Sequence, residues 1–330
     1  MRILTGDRPT GCLHLGHYVG SLENRVGMQD QYEQLILIAD IQALTDNYNH
    51  PDILMKNVYK LIACYLAVGL SPEKNIIFLQ SMIPELSELT MYFMNLVSVS
   101  RLSRNPTVKE EIKQKGFTDN LSVGFLNYPV SQAADILLFN TDIVPVGNDQ
   151  LPMIEQTNEI AKSFNYTYKN DFFKPCQALL SQTARLIGID GKAKMSKSLK
   201  NALFLDDSKE VLLENIMHMY TDSNHLKVSD PGQIEGNVVF AYLDIFDTNR
   251  EELELLKMHY KKGGLGDVAL KRRLFSILNE ILTPIREKYN AYYTDKLILK
   301  NILLEGTEKA RQISKQNIKQ IKEIMKLNIL

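Results

Sequence analysis

Short runs of consecutive apolar residues alternate, in the first half of the chain, with longer segments in which apolar residues recur every third or fourth position. The runs at 34–40 and 75–80 are of the first kind, whereas Pro51 to Leu70 and Pro84 to Val99 are of the second. A short apolar run predicts a strand buried on both faces, and the periodic segments predict amphipathic helices. Because strands and helices alternate, the pattern predicts a doubly wound parallel sheet.

Two further strands complete the predicted sheet. Ile3 and Leu4 predict a first strand, and 144–150 predicts the last strand with its turn. The segment from Asp171 to Leu186 has neither periodicity, so we expect it to be irregular.

The pattern changes near residue 200. Beyond that point the periodicity is helical throughout, up to a last helix from about Glu308. We therefore predict an α/β, Rossmann-like domain at 1–200 and an all-α domain at 201–330. We expect the last helix to pack back on the first domain.

The loop after the first predicted strand has the composition of a phosphate-binding loop. It contains Gly6, Gly11 and Gly16 and runs into a helix that begins near His14. Glycines allow tight turns and close approach to a ligand, and the first turn of a helix presents unpaired N–H groups. His14 and His17 share one face of that helix and can donate to phosphate oxygens as charge develops. We therefore predict a nucleotide site here rather than two unrelated surface histidines.

Polar residues follow the second predicted strand, at the carboxyl end where ligands bind in open α/β sheets. They are Asp40, Gln42, Thr45 and Asp46. Residues of these types also cap loops. The pattern therefore predicts either a substrate-lining role or a capping role.

Composition narrows the class of protein. The 330 residues are 45% hydrophobic and 23% charged, and the chain shows neither a transmembrane run nor a signal peptide, so we expect a soluble, cytoplasmic protein. Cys12, Cys64 and Cys176 are too widely spaced for a metal or redox motif, and we expect Cys64 in the core and no metal cluster. Because the net charge is −1, any nucleic-acid site must be a local basic patch.

A second motif lies far along the chain, at Lys194-Met195-Ser196-Lys197-Ser198. By itself this segment would be typical of an exposed basic loop. Together with His14-Leu15-Gly16-His17, in this order and at this distance, it resembles the KMSKS and HIGH signatures of class I aminoacyl-tRNA synthetases. The resemblance implies that Lys194 and Lys197 sit on a mobile loop and neutralise the phosphates of ATP and of departing pyrophosphate. It also implies that both histidines share in catalysis.

The segment from Tyr128 to Phe139 combines a helical apolar pattern with two polar residues on one face, Gln132 and Asp135. A carboxylate in apolar surroundings needs a hydrogen-bond donor. The residues alone leave open a structural role for Asp135 as a capping partner. The run 134–137, Ala-Asp-Ile-Leu, resembles a motif of bacterial tryptophanyl-tRNA synthetases, which implies that Asp135 accepts the indole N–H of tryptophan.

The turn after 144–146 carries a further group of polar residues. Gly147 allows backbone to approach a ligand, and Asp149 can accept hydrogen bonds from ribose hydroxyls while capping the next helix. The resemblance implies ATP contacts for Gly147, Asn148 and Asp149. It places Gln150 close to the ammonium group of the amino acid.

Resemblance to the bacterial tryptophanyl-tRNA synthetases covers nearly the whole chain, including Gly6 to Gly11 and 230–237. It implies activation of L-tryptophan with ATP and Mg²⁺, without a dedicated metal site on the protein, and transfer to the 3′ end of tRNA(Trp). It further implies an anticodon-binding role for 201–330 and a homodimer that involves the region near 101–117. The implied ATP contacts are Arg8, Pro9, Thr10, Gly16, His17, Gly147, Asn148, Asp149, Leu186, Lys194, Met195, Ser196, Lys197 and Ser198. The implied tryptophan contacts are Tyr128, Gln132, Asp135 and Gln150.

Departures from the family and two alternatives stay open. The chain differs from common family forms at Ile41, Met153 and Asn158, so no role is assigned to these positions. Tyrosyl-tRNA synthetases are one alternative, because Gln132 with Asp135 also resembles the pair that holds a tyrosine hydroxyl; the early HIGH motif argues against it. A non-catalytic, synthetase-like binding or regulatory protein is the other, and the retained signature histidines and lysines argue against that.

The last predicted helix carries a basic stripe. Its members recur at helical spacing opposite an apolar face. Such a stripe is most often a solvated face, and here it is also a candidate contact with RNA phosphates. The stripe comprises Arg311, Lys315, Lys319, Lys322 and Lys326.

Overall fold

The structure is a computed structural model and describes residues 1–116, 121–180, 186–197 and 199–328, without the side chains of Asp46, Gln114 and Lys115. Ser198, one of the predicted ATP contacts, lies outside the described residues. The strands are β1 (Arg2–Asp7), β2 (Glu33–Ile38), β3 (Asn75–Leu79), β4 (Ile143–Val146) and β5 (Gln177–Leu180).

These strands form one sheet of 5 strands in the order β3-β2-β1-β4-β5. Every neighbouring pair is parallel. The doubly wound α/β fold is therefore confirmed. The strand order reverses between β1 and β4, which is the point at which ligands bind in folds of this class.

One strand lies where we predicted an irregular segment. β5 pairs with β4 at the edge of the sheet, in register from Gln177 opposite Ile143 to Leu180 opposite Val146, and its side chains are mostly exposed. An edge strand has a single neighbour and little burial, so it lacks the continuous apolar run that identifies inner strands. The prediction of 144–150 as the last strand is wrong for this reason.

Nine helices precede or separate the strands within the described part of the α/β region. The first helix is short and passes through a π-helical segment, Tyr18–Leu22, into the second; such segments are often found at functional sites. The region near 101–117 forms two short helices as far as residue 115. The helices are α1 (Leu15–His17), α2 (Glu23–Met28), α3 (Asp40–Asn47), α4 (Asp52–Val68), α5 (Pro84–Met94), α6 (Val99–Arg104), α7 (Pro106–Lys115), α8 (Val123–Leu137) and α9 (Leu151–Tyr168).

The inner strands are buried on both faces. In β2, Ile36 and Ile38 belong to one hydrophobic cluster, and Leu35 and Leu37 belong to the cluster on the opposite face. Successive side chains of a strand point to opposite faces, so two helical layers must cover the sheet. Cys64 lies in the first of these clusters, as predicted.

The C-terminal region is helical. Its helices are α10 (Lys209–Met217), α11 (Val238–Phe246), α12 (Arg250–Lys262), α13 (Asp267–Thr294) and α14 (Lys296–Ile324). α13 continues through Pro284, and α14 begins earlier than the predicted Glu308 because the Asp295 side chain accepts hydrogen bonds from the N–H groups of Leu297 and Ile298. The sequence pattern did not reveal this N-cap.

α14 lies against the sheet. Ile318 and Ile321 belong to the same cluster as Phe78 of β3, and the N–H of Leu79 donates to Thr307 Oγ1 at 3.3 Å. Gly306 permits this approach, because a Cβ at that position would collide with the backbone of β3. The last helix thus covers the edge of the sheet at β3 and contributes to the hydrophobic clusters on both faces.

Part of the basic stripe on α14 is bound by the protein itself. Arg311 donates to the carbonyl oxygen of Met82 at 2.9 Å, and Lys322 pairs with Glu88 at 2.6 Å. Lys315 and Lys319 are exposed. Lys326 lies beyond the end of the helix, so the stripe is shorter than the sequence pattern predicted.

Candidate active site

A pocket of about 320 Å³ opens between the carboxyl ends of β1 and β4, at the point where the strand order reverses. Its walls come from β1, β4, α8 and the loops that follow the two strands. This volume suits a small organic ligand. Six residues predicted as ATP or tryptophan contacts line it: Arg8, Tyr128, Gln132, Asp135, Gly147 and Gln150.

Asp135 forms the buried acceptor of this pocket, with only 3% of its surface exposed. Gln80 Nε2 donates to both carboxylate oxygens at 2.9 Å, and Gln42 Nε2 donates to Oδ2 at 3.0 Å. The backbone N–H of Gln42 donates to Gln80 Oε1, which fixes the orientation of the Gln80 amide. Two glutamines therefore hold the carboxylate towards the pocket.

Burial raises the pKa of Asp135 to about 7, against the opposing effect of the Gln80 hydrogen bond, and the neighbouring charge of Asp40 adds to the rise. A buried charge is costly unless donors compensate it. Near neutral pH both the protonated and the ionised form of the Asp135 carboxyl are thus populated. A further N–H donor from a ligand would favour the ionised form.

Tyr128 lies on the same helix as Asp135 and is buried beside a charged pair. Burial raises its pKa, and the nearby Glu111 carboxylate adds to this effect. Arg8 Nη2 lies 3.9 Å from Glu111 Oε1. The pocket therefore has one polar wall that carries a cation, a carboxylate and a phenol.

His14 and His17 begin the first helix with their ring centroids 3.7 Å apart. The backbone N–H of His14 donates to His17 Nδ1 at 3.2 Å, which leaves the proton of neutral His17 on Nε2. Burial lowers the pKa of His14 to about 3 and that of His17 to about 4. Both rings are therefore neutral hydrogen-bond donors at neutral pH.

Gly16 lets the two signatures meet. A Cβ built at Gly16 would lie 3.0 Å from the His14 ring and 3.7 Å from Met195 Sδ. The first distance is tighter than most Cβ contacts, so a larger residue at this position would push the His14 ring aside by a few tenths of an ångström, whereas 3.7 Å is an ordinary van der Waals distance. Met195 itself is buried and belongs to the same hydrophobic cluster as Leu15 and Leu186.

The second signature forms a hairpin. The backbones of Ile187 and Lys194 pair, and Met195 N–H donates to the carbonyl of Leu186 at 3.1 Å. Asn201, buried, accepts from Ser196 N–H at 2.8 Å and donates to Asp190 at 3.1 Å. Hydrogen bonds therefore hold the backbone on either side of the signature lysines in place.

Lys197 reaches from this hairpin to the first signature loop. Its Nζ donates to the carbonyl of Gly11 at 3.1 Å and to Thr10 Oγ1 at 3.3 Å. Burial lowers its pKa, although neighbouring acidic groups oppose the effect. The ammonium group therefore lies at the loop predicted to bind phosphates.

The backbone after the hairpin also pairs with the first signature loop. His14 and Phe204 form an antiparallel bridge, and Leu15 N–H donates to the carbonyl of Leu203 at 2.8 Å. Leu205 N–H donates to the carbonyl of Leu13 at 3.0 Å. Residues close to both signatures are therefore joined by main-chain hydrogen bonds.

A buried ion pair lies beneath His17. Arg25 Nη1 donates to Asp7 Oδ2 at 2.7 Å, and Tyr65 OH donates to the same oxygen at 2.6 Å. Burial opposes ionisation of Asp7, but the charge and hydrogen bond of Arg25 outweigh it and lower the pKa to about 2. The Asp7 charge in turn opposes the fall in the pKa of His17.

We expect Arg25→Met to lower the free energy of unfolding by about 3 kcal/mol, because the carboxylate of Asp7, whose side chain is only 19% exposed, then lacks its cation. Urea unfolding measures the loss. The double variant Asp7→Leu/Arg25→Met removes both charges and is expected to recover most of it. A single variant as stable as the wild type would show that the pair contributes nothing to the fold.

Some predicted residues lie at the rim. The side chain of Lys194 is exposed, although its charge contributes to the low pKa of His14. Asn148 and Asp149 are exposed, and the carbonyl of Asp149 accepts from Thr107 Oγ1 at 2.7 Å. Pro9 is buried and Thr10 is exposed in the first signature loop. The structure thus places the predicted ATP contacts around an open region rather than in one closed cavity.

The structure shows what surrounds Ile41, Met153 and Asn158, the three positions to which no role is assigned. Met153 is buried with Phe125 and Tyr128, behind the polar wall of the pocket. Asn158 exchanges hydrogen bonds with the backbone of Cys176, and Ile41 is 36% exposed. Met153 therefore packs with Tyr128, and Asn158 holds the backbone of Cys176, the residue before β5, in place.

Sequence reasoning missed Glu111 as a pocket residue and Gln80 as a buried partner of Asp135. Gln80 follows β3 at the carboxyl edge of the sheet, and this position was the available signal, as it was for Gln42. The capping alternative for Asp135 is not seen, since its partners are the glutamines. Gln42 lies in the pocket wall, which agrees with the substrate-lining prediction made for that segment.

Among the described residues, no group of three or more histidine, cysteine or acidic side chains is arranged to hold a metal ion. Helices long and apolar enough to cross a membrane are likewise absent from that part of the chain. Cys12, Cys64 and Cys176 are free thiols.

A parallel sheet with a ligand pocket at its switch point, a histidine pair at a helix start and a lysine reaching across from a second loop define a class I aminoacyl-tRNA synthetase. A family model described as tRNA synthetases class I (W and Y) matches residues 1–283. The chain belongs to this family.

Individual relatives are similar over nearly the whole chain. A tryptophan–tRNA ligase from Streptococcus pyogenes is 51% identical over 99% of this chain and 98% of its own length. One from Clostridium longisporum is 53% identical over 97% and 95%. The crystal structure of tryptophanyl-tRNA synthetase from Campylobacter jejuni with ADP and tryptophan has a TM-score of 0.88 at 34% identity, and covers 98% of this chain and 99% of that one.

Proposed function

We propose that this chain is a tryptophan–tRNA ligase, which activates L-tryptophan with ATP and transfers it to tRNA(Trp). The observation that carries the proposal is the buried carboxylate of Asp135 in a pocket beside two signatures that contact each other. The curated relatives, named as tryptophan–tRNA ligases, support tryptophan over tyrosine. The two signatures with their four polar side chains support a catalytic protein over a binding module.

In the first step the tryptophan carboxylate attacks the α-phosphorus of ATP, and pyrophosphate leaves. The protein supplies no nucleophile, so catalysis rests on positioning and on stabilising the charge that develops. We assign this stabilisation to the neutral donors His14 and His17, to Lys197 at the loop and to Lys194 when it closes over the phosphates. Gly16 leaves room for the first of these rings, because it places no Cβ against His14.

We propose that the indole ring enters the pocket with its N–H directed at Asp135. Selectivity then follows from the acceptor, because an amino acid without a suitably placed donor leaves a buried polar group unpaired. Tyr128 and Gln150 at the same pocket are assigned to the ammonium group, and Gln132 to the pocket wall beside Asp135.

We propose that Mg²⁺ arrives with ATP. This ion keeps several waters and is usually held by substrate phosphates with few protein ligands. The chain's own residues then need only donors and cations for the phosphates, and Lys197, His17 and the N–H groups of the helix start supply these. Gly147, Asn148 and Asp149 are assigned to the nucleoside end.

The remaining assignments concern partners. We propose that residues 201–330 bind the anticodon region of tRNA, that two copies pair through the region near 101–117, and that the protein works in the cytoplasm. Exposed Val99 and Val123 beside that region support the pairing, since exposed apolar side chains often mark an interface. Sedimentation of the purified wild-type protein and of a Val99→Asp variant tests this pairing: we expect a dimer for the wild type and a smaller species for the variant.

Exchange of pyrophosphate into ATP, measured in parallel with tryptophan, tyrosine, phenylalanine and no amino acid, tests the central assignment. We expect exchange with tryptophan alone. Exchange with tyrosine alone would move the protein to the sister enzymes with the same fold. Absence of exchange with every amino acid would favour a non-catalytic protein.

A further inference from the structure

Three lysines from two helices meet on one surface. Lys56 and Lys60 lie one turn apart on α4, and Lys296 is the first residue of α14. Burial lowers the pKa of Lys296, and repulsion from Lys60 and Lys56 lowers it further. Within the described part of the chain no ion pair joins these lysines to a carboxylate. We call this group, Lys56, Lys60 and Lys296, the basic surface.

Two tyrosines hold the central ammonium group of the basic surface in place. Lys296 Nζ lies 5.6 Å from the centroid of the Tyr59 ring and also sits over the Tyr293 ring. The faces of aromatic rings attract cations without neutralising their charge. Lys296 is therefore positioned, yet its full charge is available to a partner.

The basic surface adjoins the nucleotide loop. Tyr293 stacks on Tyr289 with centroids 5.5 Å apart and planes at 7°, and the Tyr289 hydroxyl lies 3.7 Å from Cys12 Sγ in the first signature loop. Asn57, next to Lys56, lies close to Gly11 of the same loop. A molecule bound at the basic surface is thus within a few side chains of the site where the adenylate forms.

Several other cations of the described residues are neutralised by a carboxylate. Arg25, Arg273, Arg311 and Lys322 each pair with a carboxylate. Because the net charge of the chain is −1, its overall charge does not attract a polyanion, and attraction must come from a local group of cations. Like charges held together destabilise the isolated protein, and a run of phosphates would relieve the repulsion at the basic surface.

We infer that the basic surface binds the sugar–phosphate backbone of the acceptor end of tRNA and guides its 3′ end to the adenylate. The inference rests on the proposed function, since tRNA is the polyanion that must reach this site. It assigns to α4 and the start of α14 a contact separate from the stripe on α14.

Aminoacylation kinetics of the variant Lys60→Gln/Lys296→Gln test the inference. The matched variant Lys162→Gln/Lys174→Gln removes the same charge from two exposed positions of the α/β region that are assigned no contact with RNA. For the first variant we expect the KM for tRNA to rise about tenfold, and the slope of log affinity against log salt to become shallower by about two units, one per lost phosphate contact. Exchange of pyrophosphate with tryptophan, which needs no tRNA, should stay at the wild-type rate and thereby shows that the variant is folded.

The outcomes separate the inference from the proposed function. An unchanged KM for tRNA and salt slope in Lys60→Gln/Lys296→Gln would overturn the inference. An equal loss in both double variants would also overturn it, because net charge rather than this surface would then be responsible. A wild-type protein that exchanges no pyrophosphate with tryptophan would instead overturn the proposed function.

Discussion

Replacement of Asp135 by alanine is expected to lower kcat/KM for tryptophan about a thousandfold in pyrophosphate exchange. The change removes the only acceptor assigned to the indole N–H and leaves the amide groups of Gln80 and Gln42 without their buried partner. A site built around a hydrogen bond loses most of its selectivity and affinity when that bond is broken. The KM for ATP should change little, because the hydrogen bonds that are lost join Asp135 to Gln80 and Gln42, which are assigned no contact with ATP.

Equal losses towards tryptophan and ATP would contradict this role and indicate general structural damage. Asp40→Asn is the matched control: it keeps the acceptor and removes only the neighbouring charge that helps to raise the pKa of Asp135. Tryptophan activation should therefore survive in Asp40→Asn.

The same carboxyl group predicts a pH dependence. Ionised Asp135 is the better acceptor, so the KM for tryptophan should fall as the pH rises through about 7 in the wild type. In Asp40→Asn the midpoint should move to lower pH, and in Asp135→Asn the dependence should disappear. A wild-type KM that is flat across this range would contradict the assignment.

Replacement of Lys197 by alanine is expected to slow adenylate formation by about a hundredfold or more in single turnovers, which corresponds to roughly 3 kcal/mol of transition-state stabilisation. Its ammonium group contacts Gly11 and Thr10 at the nucleotide loop, where charge appears as pyrophosphate leaves. Stability should change little, because only two hydrogen bonds at a partly exposed position are lost.

Two further variants make the Lys197 result interpretable. Lys192→Ala removes an exposed charge from the same hairpin and should leave the rate unchanged. Lys197→Arg keeps the charge and should recover part of the rate. An unchanged single-turnover rate in Lys197→Ala would exclude the catalytic role.

The sequence predicted those parts of the fold in which local pattern and final burial agree. β2 and β3 are buried on both faces and appeared as continuous apolar runs. β5 did not, because an exposed edge strand carries no such run. The start of α14 was missed because a single side chain, Asp295, sets it, although the buried residues Leu299 and Leu303 already recur at helical spacing.

Some residues of the candidate site could likewise be predicted from the sequence, whereas others could not. The signature motifs are contiguous in sequence and could be recognised there, as could the run 134–137 that contains Asp135. The partners of that carboxylate could not be predicted, since Gln80 is 55 residues away and Gln42 is 93 residues away along the chain. Similarly, the ion pair of Arg25 with Asp7 joins residues 18 positions apart and could not be predicted from the local pattern.

The contact of α14 with β3 has a consequence for synthesis on the ribosome. The hydrogen bond from Leu79 to Thr307 joins residues 228 positions apart, so β3 leaves the ribosome long before the helix that covers it. At a translation rate of about 5 to 20 residues per second, the apolar surface that includes Phe78 remains uncovered for roughly 10 to 50 s until α14 has been synthesised. During that interval the apolar surface around β3 stays uncovered, and α14 completes this part of the hydrophobic core only after it has been translated.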